Sequence, residues 1–152
     1  MKKIGLDTNF FMAIFLQEEE KLDASAKVLR MIADGVLTAI VSTITLVEIA
    51  TLFRQKQEIE RAKKAVEAVV AMQNTIFVCI TTEIALSVAN IKVSKKLSIA
   101  DAMILAAAIE MSADAFLTFD SDFKKVTKIA CMTPDEYLAT NDVDMIRVRP
   151  HT

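Results

Sequence analysis

The sequence predicts an α/β protein, a three-layer α/β/α sandwich around a central, mostly parallel sheet of four to five strands. Three observations carry that reading. Short, continuous apolar runs such as Thr75 to Ile80 and Ala115 to Thr118 read as strands covered on both faces, the habit of a parallel sheet. Between them lie longer segments whose apolar residues recur at helical spacing, and alternating strands and helices give the α/β class. Only 2 Gly and 2 Pro occur among 152 residues, so connections are short and nothing marks a linker, repeat or low-complexity stretch. One domain spanning 1–152 is expected, with residues from about 141 onward forming a flexible or partner-contacting tail.

Lys2 to Leu6 is the first strand, and an apolar helix follows from Thr8 to Leu16 with Asp7 at its N-cap position. A second helix, about Leu22 to Ala33, ends near Gly35, and Val36 to Val41 is the next strand. The helix from Thr43 to Arg54 carries Leu46, Ile49, Ala50 and Phe53 on one face; the longer helix from Glu58 to Gln73 carries the stripe Ile59, Ala62, Val66 and Val69. Thr75 to Ile80 reads as a buried strand, Glu83 to Lys95 as a helix and Ile99 to Met111 as an Ala-rich helix. Ala115 to Thr118 is the fourth strand and Lys128 to Cys131 a last short one, before a terminal turn of helix beginning at Pro134.

Composition narrows the class. Hydrophobic residues make up 53% of the chain, which points to a well-covered core plus an apolar surface for a partner, most simply a second copy. The longest uncharged runs, Gly35 to Val47 and Ala68 to Thr82, fall short of the roughly 18 to 20 apolar residues a membrane span needs. No export signal follows Met1-Lys2-Lys3, so a cytoplasmic protein is expected. Cys79 and Cys131 make neither a disulfide framework nor a zinc pattern and read as two buried thiols. A net charge of −2 gives no global attraction to nucleic acid, although basic residues cluster locally.

The functional signal is acidic. Asp7, Glu48, Asp101 and the pair Asp120/Asp122 stand far apart in sequence, each where a strand gives way to a helix or turn. Singly, each has a structural explanation: Asp7 as an N-cap, Thr45 to Glu48 and Ser98 to Asp101 as capping boxes, Asp120-Ser121-Asp122 as a polar turn. In a parallel α/β sheet, however, residues after a strand and those opening the helix toward the next strand share the carboxyl edge. All four positions therefore converge. Carboxylates gathered there repel one another and invite a cation; ligation by oxygen without His or Cys selects Mg²⁺ or Mn²⁺, one ion or two. Such a site suits phosphodiester hydrolysis. The single histidine, His151, is near the C-terminus, which leaves His-based mechanisms without a base, and no Gly-rich phosphate loop occurs. A phospho-acceptor role for Asp7 is the minor competing chemistry.

At these residues the chain resembles the PIN-domain family, and within it the VapC-like toxins of toxin–antitoxin pairs. The resemblance runs through Ile4-Gly5-Leu6-Asp7-Thr8-Asn9, Ser42-Thr43-Ile44-Thr45-Leu46-Val47-Glu48-Ile49, Leu97-Ser98-Ile99-Ala100-Asp101-Ala102 and Leu117-Thr118-Phe119-Asp120-Ser121-Asp122-Phe123, in that order. It implies a single PIN-like domain and a Mg²⁺- or Mn²⁺-dependent endoribonuclease. The catalytic and metal-holding set would be Asp7, Glu48, Asp101 and Asp120, with Asp122 an alternative or additional ligand and Thr8, Asn9 and Thr118 in support. It implies a homodimer and a small antitoxin protein as partner.

An RNA substrate crossing an acidic site needs flanking cations, and Arg54, Lys56, Lys95, Lys96, Lys124 and Lys125 are the candidates nearest the acids in sequence. Stacking aromatics are scarce, with no Trp and one Tyr, and Phe10, Phe11 and Phe15 read as core or dimer contacts. The contrasting reading is a catalytically idle PIN-like module that binds RNA or protein, its acids serving only as caps.

Overall fold

The computed structural model describes residues 1–147, with side chains through Asn141. His151 and the last part of the expected tail lie outside the described residues. The strands are β1 (Lys2–Leu6), β2 (Leu37–Ser42), β3 (Thr75–Val78), β4 (Ala115–Leu117) and β5 (Ala130–Met132). The helices are α1 (Thr8–Phe15), α2 (Glu19–Ala33), α3 (Thr43–Gln55), α4 (Ile59–Val70), α5 (Thr82–Lys95), α6 (Ile99–Glu110) and α7 (Pro134–Arg147), with a short 3-10 helix at Ser121–Lys125. One five-stranded sheet has the order β3-β2-β1-β4-β5, and all four pairings are parallel.

Strand alternation sorts the side chains into two cores. Ile4, Leu6, Leu37, Ala39, Val41, Ala115 and Leu117 face the layer that includes Phe10, Val28, Ile32, Ile49, Phe53 and Val69. Ile40 and Phe116 face the opposite layer, with Val88, Ile91, Ile104, Leu105 and Phe123. Side chains of period 2 buried on both sides account for the continuous apolar runs. The second layer lies very close at one point. A Cβ on Gly5 would come within 2.5 Å of Ala108 Cβ and 2.8 Å of Phe116 Cδ2. Glycine in β1 and the run Ala106-Ala107-Ala108 in α6 together let that helix settle on the sheet, which fixes where its first turn stands.

Several expectations need correction. The strand at Thr75 is not buried: β3 is at the sheet edge, most of it is half-buried, and it ends at Val78. Cys79 just beyond it is exposed and Cys131 is half-buried against the second core, so neither is a fully buried thiol. The helix of Glu48 is capped by Ser42, whose Oγ accepts from Ile44 N at 3.2 Å, rather than by a box starting at Thr45. Finally, Pro134 opens 14 residues of helix, not one turn. Thr133 and Glu136 exchange the two hydrogen bonds of a capping box, Thr133 N to Glu136 Oε2 at 2.8 Å and Glu136 N to Thr133 Oγ1 at 3.2 Å. With proline at the first helical position, that start is strong enough to carry a helix that packs on α2. The backbone from 141 to 147 is thus helical.

Candidate active site

At the carboxyl edge the β1–β4 ladder continues one step past both strands: Asp7 N donates to Leu117 O at 3.1 Å, placing Asp7 beside Thr118. Both are buried, each 4% exposed. Asp7 receives two hydrogen bonds, from Thr8 N to Oδ1 at 2.8 Å and from Thr118 Oγ1 to Oδ2 at 2.7 Å. The first is the N-cap of α1, so the capping role foreseen for Asp7 is real and coexists with its place in an acid cluster.

Thr118 is a hub. While its hydroxyl donates to Asp7, it accepts from Asn9 Nδ2 at 3.3 Å and from Asp120 N at 3.0 Å. Asn9 Oδ1 accepts from Phe119 N at 3.2 Å, so Asn9 holds the segment leading to Asp120 against the first turn of α1. On the other side Thr8 Oγ1 donates to Glu48 Oε1 at 2.6 Å and ties the second turn of α3 to the same edge. Asp101 sits in the first turn of α6, whose cap Ser98 accepts from Asp101 N at 3.1 Å.

The carboxylates sense one another. Burial pushes the Asp7 carboxyl up to about 6; hydrogen bonds from Thr118 and Thr8 oppose the shift, and the charges of Asp101 and Glu48 add to it. Asp101 is also raised, by burial first, against the Ser98 hydrogen bond and with the charges of Asp120 and Asp122. These influences join Asp7 to Glu48 and Asp101, and Asp101 to Asp120 and Asp122, in one chain of repulsion. Within the last pair, Asp120 is half-buried and weighs more on Asp101; Asp122 is exposed. Asp120 Oδ1 also accepts from Asp122 N at 2.9 Å, opening the 3-10 helix.

Among the described residues no three acidic, His or Cys groups close around one point tightly enough to form a ready cage for an ion. One buried carboxylate with half-buried and exposed partners leaves room for a divalent ion that keeps waters of its own. The donor set is all oxygen, and its mutual repulsion is what a divalent ion relieves. The residues present therefore fit such an ion.

The basic candidates separate. Lys124 is exposed and lines a pocket of about 100 Å³ beside Asp120, and Lys125 is exposed in the same short helix. Lys95 is half-buried and Lys96, in the left-handed conformation with φ 54°, ends α5 just before the Ser98 cap. Arg54 lines a different hollow, between α3 and α4, and the exposed Lys56 caps the far end of α3 from the turn holding Glu48. Two residues escaped the sequence reading: Phe119, and Lys21, whose Nζ stands 5.2 Å from the centre of that ring. Phe119 follows directly on the run Ala115 to Thr118 and looks like a continuation of it; its position past the end of β4 is the only signal. Phe10 and Phe11 are core residues and Phe15 packs against the same core. No helix among the described residues is long and apolar enough to cross a membrane.

A family model described as the PIN domain matches residues 4–129. Among solved structures, the fold is similar to DNA-bound VapBC from Salmonella typhimurium, with TM-score 0.70, 18% identity, and coverage of 88% of this chain and 99% of that one. VapBC2 from Rickettsia felis bound to a promoter DNA fragment gives TM-score 0.68 at 15% identity, covering 86% of this chain and 97% of that one. VapC20 from Mycobacterium tuberculosis, described as a sarcin–ricin loop cleaving toxin, gives 0.65 at 18%, covering 83% and 98%. No curated protein matches the chain in sequence.

Proposed function

The chain belongs to the PIN-domain family, and from that premise we propose that it is a Mg²⁺- or Mn²⁺-dependent endoribonuclease, the toxin of a toxin–antitoxin pair. The observation that carries the reading is the buried Asp7, held at a pKa of about 6 by desolvation and by the charges of Asp101 and Glu48. A structural cap has no need of such company. Asp7, Glu48, Asp101 and Asp120 would hold the ion, directly or through waters, with Asp122 at the rim. Bound there, a divalent ion supplies Lewis-acid polarisation of a phosphodiester and eases deprotonation of the attacking water.

The chain's own groups do the rest. Thr118 and Thr8 aim both oxygens of Asp7, and Asn9 fixes the Asp120 segment at a set distance from them. Thr8 holds Glu48 through Oε1 and leaves Oε2 without a bond from its hydroxyl. Asp101, half-buried with a raised pKa, is suited to take a proton from water at one carboxylate oxygen and return it to the leaving oxygen. Lys124, Lys125, Lys95 and Lys96 lie toward this edge and would hold flanking RNA phosphates; Arg54 and Lys56, further along α3, would meet only a longer substrate.

The antitoxin and homodimer belong to the same proposal, supported by the likeness to VapBC assemblies. Co-purification with a small protein encoded in a flanking frame tests the first, and light scattering the second. For the activity, the purified chain is incubated with single-stranded and hairpin RNAs in Mg²⁺, in Mn²⁺ and in chelator. Cleavage that needs the ion and disappears in Asp7→Asn is expected; ion-independent cleavage, or cleavage unchanged by the substitution, contradicts the reading. An idle binding module gains support from one observation, that Asp7 and Asp120 both accept local backbone N–H groups as caps do. Such a module binds RNA or protein but shows no carboxylate-dependent uptake of Mn²⁺.

A further inference from the structure

Seven of the 8 phenylalanines belong to the two cores: Phe10, Phe11, Phe15, Phe53 and Phe77 on one side of the sheet, Phe116 and Phe123 on the other. Phe119 belongs to neither. It is half-buried at the carboxyl edge, with Thr118, which bonds to Asp7, before it and Asp120 after it. Its backbone N is fixed by Asn9 Oδ1, so the ring's point of attachment moves with the acid site.

The ring is also held from α2. Lys21 Nζ lies 5.2 Å from its centroid and 2.6 Å from Glu18 Oε2, so the ammonium is braced on two sides. Beside Phe119 opens the pocket of about 100 Å³, which it lines with Asp120, Lys124, Thr133 and Glu136. Glu136 already accepts from Thr133 N, whereas Lys124 has no ion pair among the described residues. The pocket is too small to enclose a nucleotide, so a base would lie along its rim. The result is an oriented aromatic ring beside Asp120, with Lys21 held over it and Lys124 lining the same pocket.

Resting on the nuclease reading, we propose that Phe119 is the base-stacking residue of this site, receiving the nucleobase next to the scissile phosphate of single-stranded RNA, with Lys124 holding the adjoining phosphate and Lys21, paired to Glu18, orienting the ring. A single strand presents bases and phosphates in alternation, the pattern that an aromatic ring beside an ammonium group complements. Bracing by Lys21 and Asn9 lowers the ordering cost of binding. Because every base has a π-face, stacking holds the strand in place and leaves sequence choice to other contacts.

The chain contains no tryptophan, so Phe119→Trp installs a single fluorophore at the stacking position. A labelled ten-nucleotide single-stranded RNA is titrated in Ca²⁺, with anisotropy reporting binding and tryptophan emission reporting contact. Quenching that saturates in step with anisotropy is expected; unchanged emission during binding overturns the proposal. In parallel, Phe119→Leu should weaken binding about tenfold and raise KM more than it lowers kcat, while Phe119→Tyr stays within about twofold of the parent. An RNA with an abasic site at the contacted position should bind parent and Phe119→Leu alike, which a merely structural role for the ring would not produce. Equal affinity of the parent and Phe119→Leu for intact RNA removes this inference and leaves the nuclease reading standing. If the parent neither binds nor cleaves RNA, both fall.

Discussion

The two ends of the acidic edge are built differently. Around Asp7 the edge is dry: the carboxylate is buried, each oxygen accepts a hydrogen bond, and Thr8 and Thr118 bind it to α3 and to the β4 end. Around Asp122 it is wet, with the residue exposed in a short 3-10 helix between Ser121 and Lys125. The same residue type therefore does different work. In the dry end repulsion among fixed charges accumulates and rewards a cation; in the wet end solvent screens each charge.

Substitutions at the two ends should diverge. The largest expected effect is on cleavage by Asp7→Asn: single-turnover rates in Mg²⁺ should fall by on the order of a thousandfold, the loss typical of removing a preorganised charge contact. A modest loss would mean that the dry end is a scaffold and the wet end holds the chemistry.

Next comes pH. Asp7 titrates near 6 folded against 3.8 unfolded, so the folded state holds its proton more tightly. The stability this confers is complete below about pH 3.8 and is lost as pH rises through 6. Metal-free protein should thus lose up to about 3 kcal/mol from this group across that window, measured by denaturant unfolding at a series of pH values. Asp7→Asn should flatten that part of the profile, and Asp122→Asn should leave it intact. Saturating Mn²⁺ at pH 7 should restore stability to the parent and to Asp122→Asn and leave Asp7→Asn unchanged.

A smaller effect tests how the dry end is positioned. Gly5→Ala introduces a methyl group within 2.5 Å of Ala108 Cβ, so α6 must lift and carry Asp101 with it. A loss of about 1 to 3 kcal/mol in unfolding free energy is expected, with cleavage reduced even where the protein remains folded. The smallest difference is within the wet end: Asp120→Asn should slow cleavage about tenfold and Asp122→Asn less than about threefold, since the former is half-buried and nearer in influence to Asp101. Equal effects would show that the two are interchangeable.

How much of this was legible in the sequence follows from what each feature depends on. Apolar runs alternating with helical stripes report burial on both faces of a sheet, so the α/β/α layers and the convergence of Asp7, Glu48, Asp101 and Asp120 could be read in advance. The exposure of Cys79 could not, because it depends on β3 being an outer strand, a consequence of sheet order that local pattern does not encode. The length of α7 was encoded, in Thr133-Pro134-Asp135-Glu136, and only needed the capping box to be recognised. At the site, caps and ligands were set against each other as alternatives. Asp7 and Asp120 show that one carboxylate serves as a cap while belonging to the cluster, because a helix N-terminus and a cation both favour negative charge. Lys21 against Phe119 joins α2 to the β4 end, a long-range contact without a local signature.

The most direct test of the account is a calorimetric titration of the metal-free chain with Mn²⁺ at pH 7, run beside Asp7→Asn and Asp101→Asn. The parent should bind Mn²⁺ with release of a fraction of a proton from Asp7, and both variants should lose most of that binding while remaining folded. Mn²⁺ uptake by Asp7→Asn equal to the parent's, or none by the parent, would contradict the claim that this edge is a cation site.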